Sequence, residues 1–249
     1  MIMYTGTYMI ADHCFRFDTY HSEIHRLAEA FKTTLPFEVR IESPEWMPLW
    51  LQKQYYPDAD HLKIGPNTEV LSLLISVMLA LEPSGYLAIH GCAFALDDSG
   101  ILLTGASGSG KTTHALHWQN TFGKRFRFIN GDIPFVKKER SGVFAYGTPW
   151  NGKERLGGVD RVCLKAIIHL NRAEENHLKP TTFLEARPWL EEAALVTGHL
   201  DGYSGRDLDR MQRNLEQIAS ALPLFELYCT PDPISAQVAH NELARYVML

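Results

Sequence analysis

The sequence predicts an α/β fold, a sheet flanked by helices that carries a phosphate-binding loop and is preceded by a small β-rich lobe. Three observations predict it. A glycine-rich octapeptide stands between an apolar strand-like run and a helix-like run. From about residue 67 onward, strand-like and helical apolar periods alternate, whereas residues 1–66 hold only short, interrupted apolar segments. The 249 residues, 45 % hydrophobic and 21 % charged, have the composition of a globular protein of one large domain or two unequal ones. The expected division is a lobe over 1–66 and a phosphate-loop domain over 67–249.

In the lobe, 8–10, 15–17 and 37–41 read as strands. Ile24, Leu27, Ala28 and Phe31 mark one face of an amphipathic helix over 21–31. A second helix is expected from Asn67 to Leu81, capped by Asn67 or Thr68 and stopped by Pro83 and Gly85. Residues 86–96 are apolar except at His90 and Gly91 and read as one strand. A turn at 97–100 leads to a short, wholly apolar strand over 101–104, the pattern of a central strand. A helix over 111–122 follows the glycine-rich segment, then strands over 126–129 and 162–170, helices over 183–197 and 208–222, a strand over 224–228 and a closing helix over 234–247. Residues 201–210 read as a loop capping a helix, with Arg206 and Arg210 in surface ion pairs.

Several function classes are excluded at this level. Twenty-four Lys and Arg against 29 Asp and Glu leave a net charge of −5, so no broad basic surface is available for nucleic acid. Cys14, Cys92, Cys163 and Cys229 are scattered, with no C-x-x-C pair, and indicate neither a zinc knuckle nor a disulfide framework. The opening residues lack the basic-then-apolar pattern of a secretory leader. The longest apolar run, 71–81, is too short to span a bilayer, which takes about 20 residues. A soluble cytoplasmic protein without a membrane partner is the expectation.

Gly105-Ala106-Ser107-Gly108-Ser109-Gly110-Lys111-Thr112 matches G-x-x-x-x-G-K-[ST] throughout. Each part has a physical task. Glycines let the backbone curl so that its N–H groups face a phosphate at a helix N-terminus, without Cβ clashes. Lys111 would set an ammonium on the β- and γ-phosphates, and Thr112 would offer its hydroxyl to Mg²⁺; Thr113 completes the nucleotide-binding set. Asp132 follows the strand over 126–129. In a right-handed βαβ unit that strand would end on the same sheet edge as the loop, where a carboxylate can hold Mg²⁺ or accept a hydroxyl proton.

This string resembles the HPr kinase/phosphorylase catalytic domain and its relatives, which share a core with phosphoenolpyruvate carboxykinase. The resemblance runs through His90-Gly91, the loop, the Asp132 strand, Gly147-Thr148-Pro149-Trp150-Asn151-Gly152-Lys153-Glu154 and the segment 223–233, and covers about residues 70–249. It implies a mixed sheet of the HPr kinase/carboxykinase kind, ATP and Mg²⁺ as cofactors, and a kinase acting on Ser or Thr of a small protein or peptide. By resemblance His90 lies beside the reacting phosphate or a metal, and homo-oligomers are implied. Glu154 is a second candidate base, and Lys153 and Arg155 candidate phosphate neutralisers, on a rigid loop at the mouth of the site. Those families usually carry two adjacent acids where this chain has Gly131-Asp132, which counts against the phosphorylase direction. A nucleotide-dependent switch without transfer, or a small-molecule kinase, would use the same pocket.

Overall fold

The computed structural model describes residues 3–46, 62–194 and 205–248, with side chains from 208 in the last segment. The small lobe is a three-stranded sheet. β1 (Tyr4–Ile10) and β2 (His13–Thr19) form an antiparallel hairpin, and β3 (Val39–Glu42) adds to β2 in parallel. The helix expected over 21–31 is shorter and broken: α1 covers Glu23–Leu27 and a 3-10 turn covers Glu29–Phe31, which together bury Ile24, Ala28 and Phe31.

α2 (Pro66–Leu81) begins earlier than expected, with Pro66 in its first turn and Gly65, not Asn67 or Thr68, as N-cap. Gly65 N–H donates to Thr68 Oγ1 at 2.9 Å, so Thr68 serves the cap from within the helix. Gly85, at φ 88°, ends the following 3-10 turn in the left-handed region, as a stop there requires. The lobe is tied to α2 by polar groups as well as by packing. Buried Glu69 accepts the N–H groups of Tyr20 and His21 at 2.8 and 2.9 Å. One hydrophobic cluster runs from Tyr8, Phe15 and Phe17 through Leu73, Leu74 and Val77 to Phe135 and Trp150.

Among the described residues the main sheet has nine strands, in the order β4 (Tyr86–Ala88), β8 (Phe135–Glu139), β9 (Gly142–Tyr146), β10 (Arg161–Arg172), β6 (Ser99–Thr104), β5 (Cys92–Leu96), β7 (Phe126–Asn130), with β12 (Leu224–Cys229) on β10 and β11 (His177–Thr181) on β12. It is mixed and flanked by helices, as expected. The run over 86–96 is two strands rather than one. β4 (Tyr86–Ala88) pairs with β8 (Phe135–Glu139), while β5 (Cys92–Leu96) lies between β6 (Ser99–Thr104) and β7 (Phe126–Asn130). His90 and Gly91 are the break between them, where a Cβ on Gly91 would lie 2.6 Å from Leu103 O. The hairpin of β8 with β9 (Gly142–Tyr146) was not legible in the sequence, because Lys137, Lys138, Glu139 and Arg140 mask its alternation.

β10 (Arg161–Arg172) is the spine: it pairs antiparallel with β9, then parallel with both β6 and β12 (Leu224–Cys229). β11 (His177–Thr181), also unread in the sequence, pairs antiparallel with β12. α3 (Lys111–Phe122) matches its expected span, while α4 (Phe183–Ala193) and α6 (Ile234–Leu243) start where expected but end four residues before the expected 197 and 247. α5 (Gly205–Ala219) starts before the expected 208, so residues 205–210 are helical rather than a loop. Residues 195–204, including the end of the helix expected to 197, lie outside the described residues, as does the side chain of Arg206. Arg210 pairs with buried Glu82, an inward contact and not the surface pair expected. No described helix is long and apolar enough to cross a membrane, and all four cysteines are unpaired.

Candidate functional site

The sheet brings the phosphate loop, His90 and Asp132 to one edge. β5 runs antiparallel to both β6 and β7, so those two strands point the same way and end together at Thr104 and Asn130. The sequence reading took the two strands as parallel and ending on one edge; β5 lies between them, and they are parallel because both pair with the same antiparallel strand. β5 starts at this edge, with Cys92 opposite Leu103 and Ala93 opposite Asn130, which delivers His90 beside the loop.

The octapeptide curls as its glycines allow: Gly105, Gly108 and Gly110 have φ of 147°, 74° and 103°. At Gly105 a Cβ would also lie 2.9 Å from Leu170 O. Gly110 caps α3 without any side-chain bond, so the first amides of that helix are left for a ligand. Ser109 Oγ is buried within the loop with no hydrogen-bond partner. Lys111 folds back, donating from Nζ to Gly105 O at 2.8 Å and Ala106 O at 3.2 Å. Burial lowers its pKa, opposed by the nearby Asp132 carboxylate.

His90 Nε2 lies 3.6 Å from Asp132 Oδ1. Burial, then the Lys111 charge, holds the His90 pKa below its ordinary 6.5. The imidazole is therefore neutral at pH 7 and can accept a proton. The backbone around it is fixed on both sides: His90 N–H donates to Ala193 O at 2.6 Å and Gly91 N–H to Asp132 O at 2.8 Å. Asp132 is held from below by a buried polar network that sequence reading missed. Asn130 Oδ1 accepts Asp132 N–H at 2.9 Å, Asn130 Nδ2 donates to Thr148 O and Oγ1 at 3.1 and 3.0 Å, and Thr148 Oγ1 donates to Ile133 O at 2.7 Å. Buried Asn and Thr with every side-chain polar atom engaged define one backbone path.

Glu154 and Asp132 both lie near Gly152. A Cβ on Gly152 would lie 3.3 Å from Asp132 Cβ and 3.6 Å from Glu154 Oε2, so the two acids flank that glycine. The loop carrying Glu154 is less exposed than expected of a loop at the site's mouth: Thr148, Trp150 and Asn151 are buried, and exposure begins at Lys153. Arg155 turns from the site and lines a groove with Glu23, Arg26 and Asn67. Position 131, where the resembled families carry an acid, is tightly packed. A Cβ on Gly131 would lie 3.0 Å from both Asn151 O and Leu156 Cβ, and its N–H is bonded to Leu156 O at 2.9 Å.

Three further residues reach this edge and were not found from the sequence. His169 on β10 lies opposite Thr104, bonds its Oγ1 through Nδ1 at 3.2 Å and stacks on Trp189 at 4.7 Å. Burial lowers its pKa, and the Glu226 and Glu192 carboxylates oppose that. Glu192, near the end of α4, acts electrostatically on His90, Lys111 and His169 together. Arg172 ends β10 and donates its guanidinium to Gly108 O and Ser109 O, clamping the outer rim of the loop. Only the pairing of β10 with β6, unreadable from periodicity, could have drawn attention to His169 and Arg172.

Among the described residues no group of three or more His, Cys, Asp or Glu could hold a metal. Thr112 and Asp132 each carry an oxygen of the kind Mg²⁺ takes, one or two from the protein with phosphate oxygens and water completing the shell. The orphaned Ser109 hydroxyl and the uncapped α3 amides fit a phosphate chain.

No model of a protein family matches the sequence, and no curated protein matches it. Among solved structures, the Hpr(Ser) kinase/phosphatase from Coxiella burnetii superposes with a TM-score of 0.37 at 10 % identity, over 64 % of this chain and 97 % of that one. A likeness at that level carries nothing about the chemistry of this chain, which stands on the geometry above.

Proposed function

We propose that this protein is an ATP-dependent kinase of the HPr-kinase-like kind, transferring the γ-phosphate to a hydroxyl, that of Ser or Thr on a small protein or peptide. One observation carries the reading. The phosphate loop, an imidazole and a carboxylate meet at one sheet edge, with His90 Nε2 3.6 Å from Asp132 Oδ1. A loop alone would bind a nucleotide; a basic pair beside it supplies the means to activate an acceptor.

In this reading the loop amides and Lys111 hold the triphosphate, and Lys111 exchanges the carbonyls of Gly105 and Ala106 for phosphate oxygens. Mg²⁺, when bound, neutralises phosphate charge, with Thr112 and Asp132 as its protein ligands. The acceptor oxygen attacks the γ-phosphorus, the bond to the bridging oxygen breaks, and ADP departs with that electron pair. Asp132 takes the hydroxyl proton, His90 orients Asp132, and Glu154 is the second carboxylate within reach. The acceptor class rests on the family resemblance. Incubation with γ-labelled ATP and Ser- or Thr-containing peptides tests the reading: label transferred to peptide supports it. Nucleotide binding with no transfer to any peptide or metabolite would favour a switch, the alternative that the closed packing at Gly131 supports.

The depressed His90 pKa gives a pH prediction. A group with its pKa below 6.5 stays neutral down to that lowered value and gains a proton only below it. Transfer should therefore persist through pH 6.5 and fall on further acidification, and His90→Gln should remove that acid limb. Initial rates across pH 5–8 check this, and an acid limb unchanged in His90→Gln would sink it.

A further inference from the structure

Beside the phosphate loop lies a second cavity, of about 310 Å³, that the phosphates do not need. Its walls are the first turns of α3, through Thr113, His114 and His117, and the end of β12, through Cys229, Thr230 and Pro231. It shares Ser109, Leu170 and Arg172 with the cavity over the loop, so the two communicate past the Arg172 side chain. The volume is at the small end of ligand pockets, about 300–1,000 Å³, which suits one nucleoside and little more.

Away from the phosphate loop, the polar side chains of its walls are already committed. Trp118 Nε1 donates to His114 Nε2 at 3.1 Å, which makes that nitrogen an acceptor and leaves the proton on Nδ1, where it meets Ser235 Oγ at 3.2 Å. Burial pushes the His114 pKa down to about 4, so the ring is neutral at pH 7. His117 Nε2 donates to Pro231 O at 3.1 Å. Thr230 gives its N–H to Asn176 Oδ1 at 2.9 Å and its hydroxyl to the same oxygen at 3.4 Å. Leu170 and Ala173 complete the wall with apolar surface. What remains is ring face, methyl and methylene area, with Thr113, Arg172 and the unpartnered Ser109 hydroxyl at the end nearest the phosphate loop.

We propose that this slot receives the base and ribose of the nucleoside triphosphate, and that it holds the base by apolar contact rather than by hydrogen-bond readout, so that adenine and guanine nucleotides bind alike. The proposal rests on the phosphate-loop reading above. A site discriminates strongly when its own polar groups are left unpaired by the wrong ligand; walls whose polar groups are satisfied internally have little with which to reject one purine for another.

Calorimetric titration in Mg²⁺ with tripolyphosphate, ATP and GTP tests it, using the wild-type chain, Ala173→Trp, which fills the slot, and His117→Ala, which opens it. ATP and GTP should bind within about tenfold of each other, and each about tenfold or more tighter than tripolyphosphate. Ala173→Trp should bring both nucleotides to the affinity of tripolyphosphate while leaving tripolyphosphate unchanged, which also reports an intact loop. His117→Ala should weaken both nucleotides by a similar factor. Tripolyphosphate binding as tightly as ATP, an ATP-to-GTP ratio beyond about a hundredfold, or Ala173→Trp with undiminished ATP affinity would overturn the slot alone. Failure of all three ligands to bind the wild-type chain would overturn the phosphate-loop reading and the slot with it.

Discussion

Asp132→Asn is expected to cut phosphoryl transfer by about a hundredfold or more while leaving most nucleotide affinity in place. The substitution keeps the shape of the side chain. It also keeps the backbone bonds that seat the residue, Gly91 N–H to its carbonyl at 2.8 Å and its own N–H to Asn130 Oδ1 at 2.9 Å. What it removes is the charge. An amide oxygen is too weakly basic to take a proton from a hydroxyl, and as a neutral group it is a poorer Mg²⁺ ligand. Nucleotide binding suffers less, because the loop amides, the α3 N-terminus and Lys111 are untouched. The Lys111 pKa should fall further, since Asp132 is the largest of the charges that raise it. Rates with labelled ATP, read beside calorimetric affinities, separate the two effects. Turnover equal to wild type would refute the role given to Asp132 and shift the base to Glu154, which also lies near Gly152.

The elements that carry this site were legible in unequal measure. The loop and α3 could be read because G-x-x-x-x-G-K-[ST] encodes a backbone path, and the glycines at 105, 108 and 110 do take positive φ. Asp132 could be placed at the same edge from strand direction alone. Periodicity fails wherever a strand is buried on both faces or masked by charge. Residues 86–96 looked continuous because nothing in an apolar run marks the point at which the chain leaves one strand position for another. The sign was His90-Gly91, where only glycine allows the approach to Leu103 O. His169, Arg172 and Glu192 were invisible for a different reason. Their relation to the loop is set by which strand pairs with β6 and by where α4 ends, and both are products of tertiary packing. Asn130 and Thr148 were passed over as ordinary polar residues, though both are wholly buried and their side-chain bonds fix the backbone on either side of Asp132.

Gly147→Ala is expected to cost more than about 3 kcal/mol of stability, a large share of the roughly 5–15 kcal/mol a domain of ordinary stability possesses. A Cβ on Gly147 would lie 1.6 Å from Gly158 O and 2.8 Å from Ile129 O, and both are backbone atoms that cannot swing aside. Relief requires the strand end at Ile129 and the segment at 158 to separate. That separation strains Gly147 N–H to Asp160 O at 2.8 Å and Gly158 N–H to Ile129 O at 3.3 Å. Gly158→Ala is the matched control. Its Cβ would meet nothing within 4 Å, so the change should be neutral or stabilise by up to about 1 kcal/mol through the unfolded chain. Urea denaturation of the two variants decides it: a lowered midpoint for position 147 alone supports the packing described, and equal midpoints would refute it. The contrast bears on chemistry as well as on folding. The same glycine-lined contact holds the strap of residues 147–158 against the end of β7. That strap carries Thr148, which fixes the Asp132 backbone, and Glu154, the second carboxylate beside it.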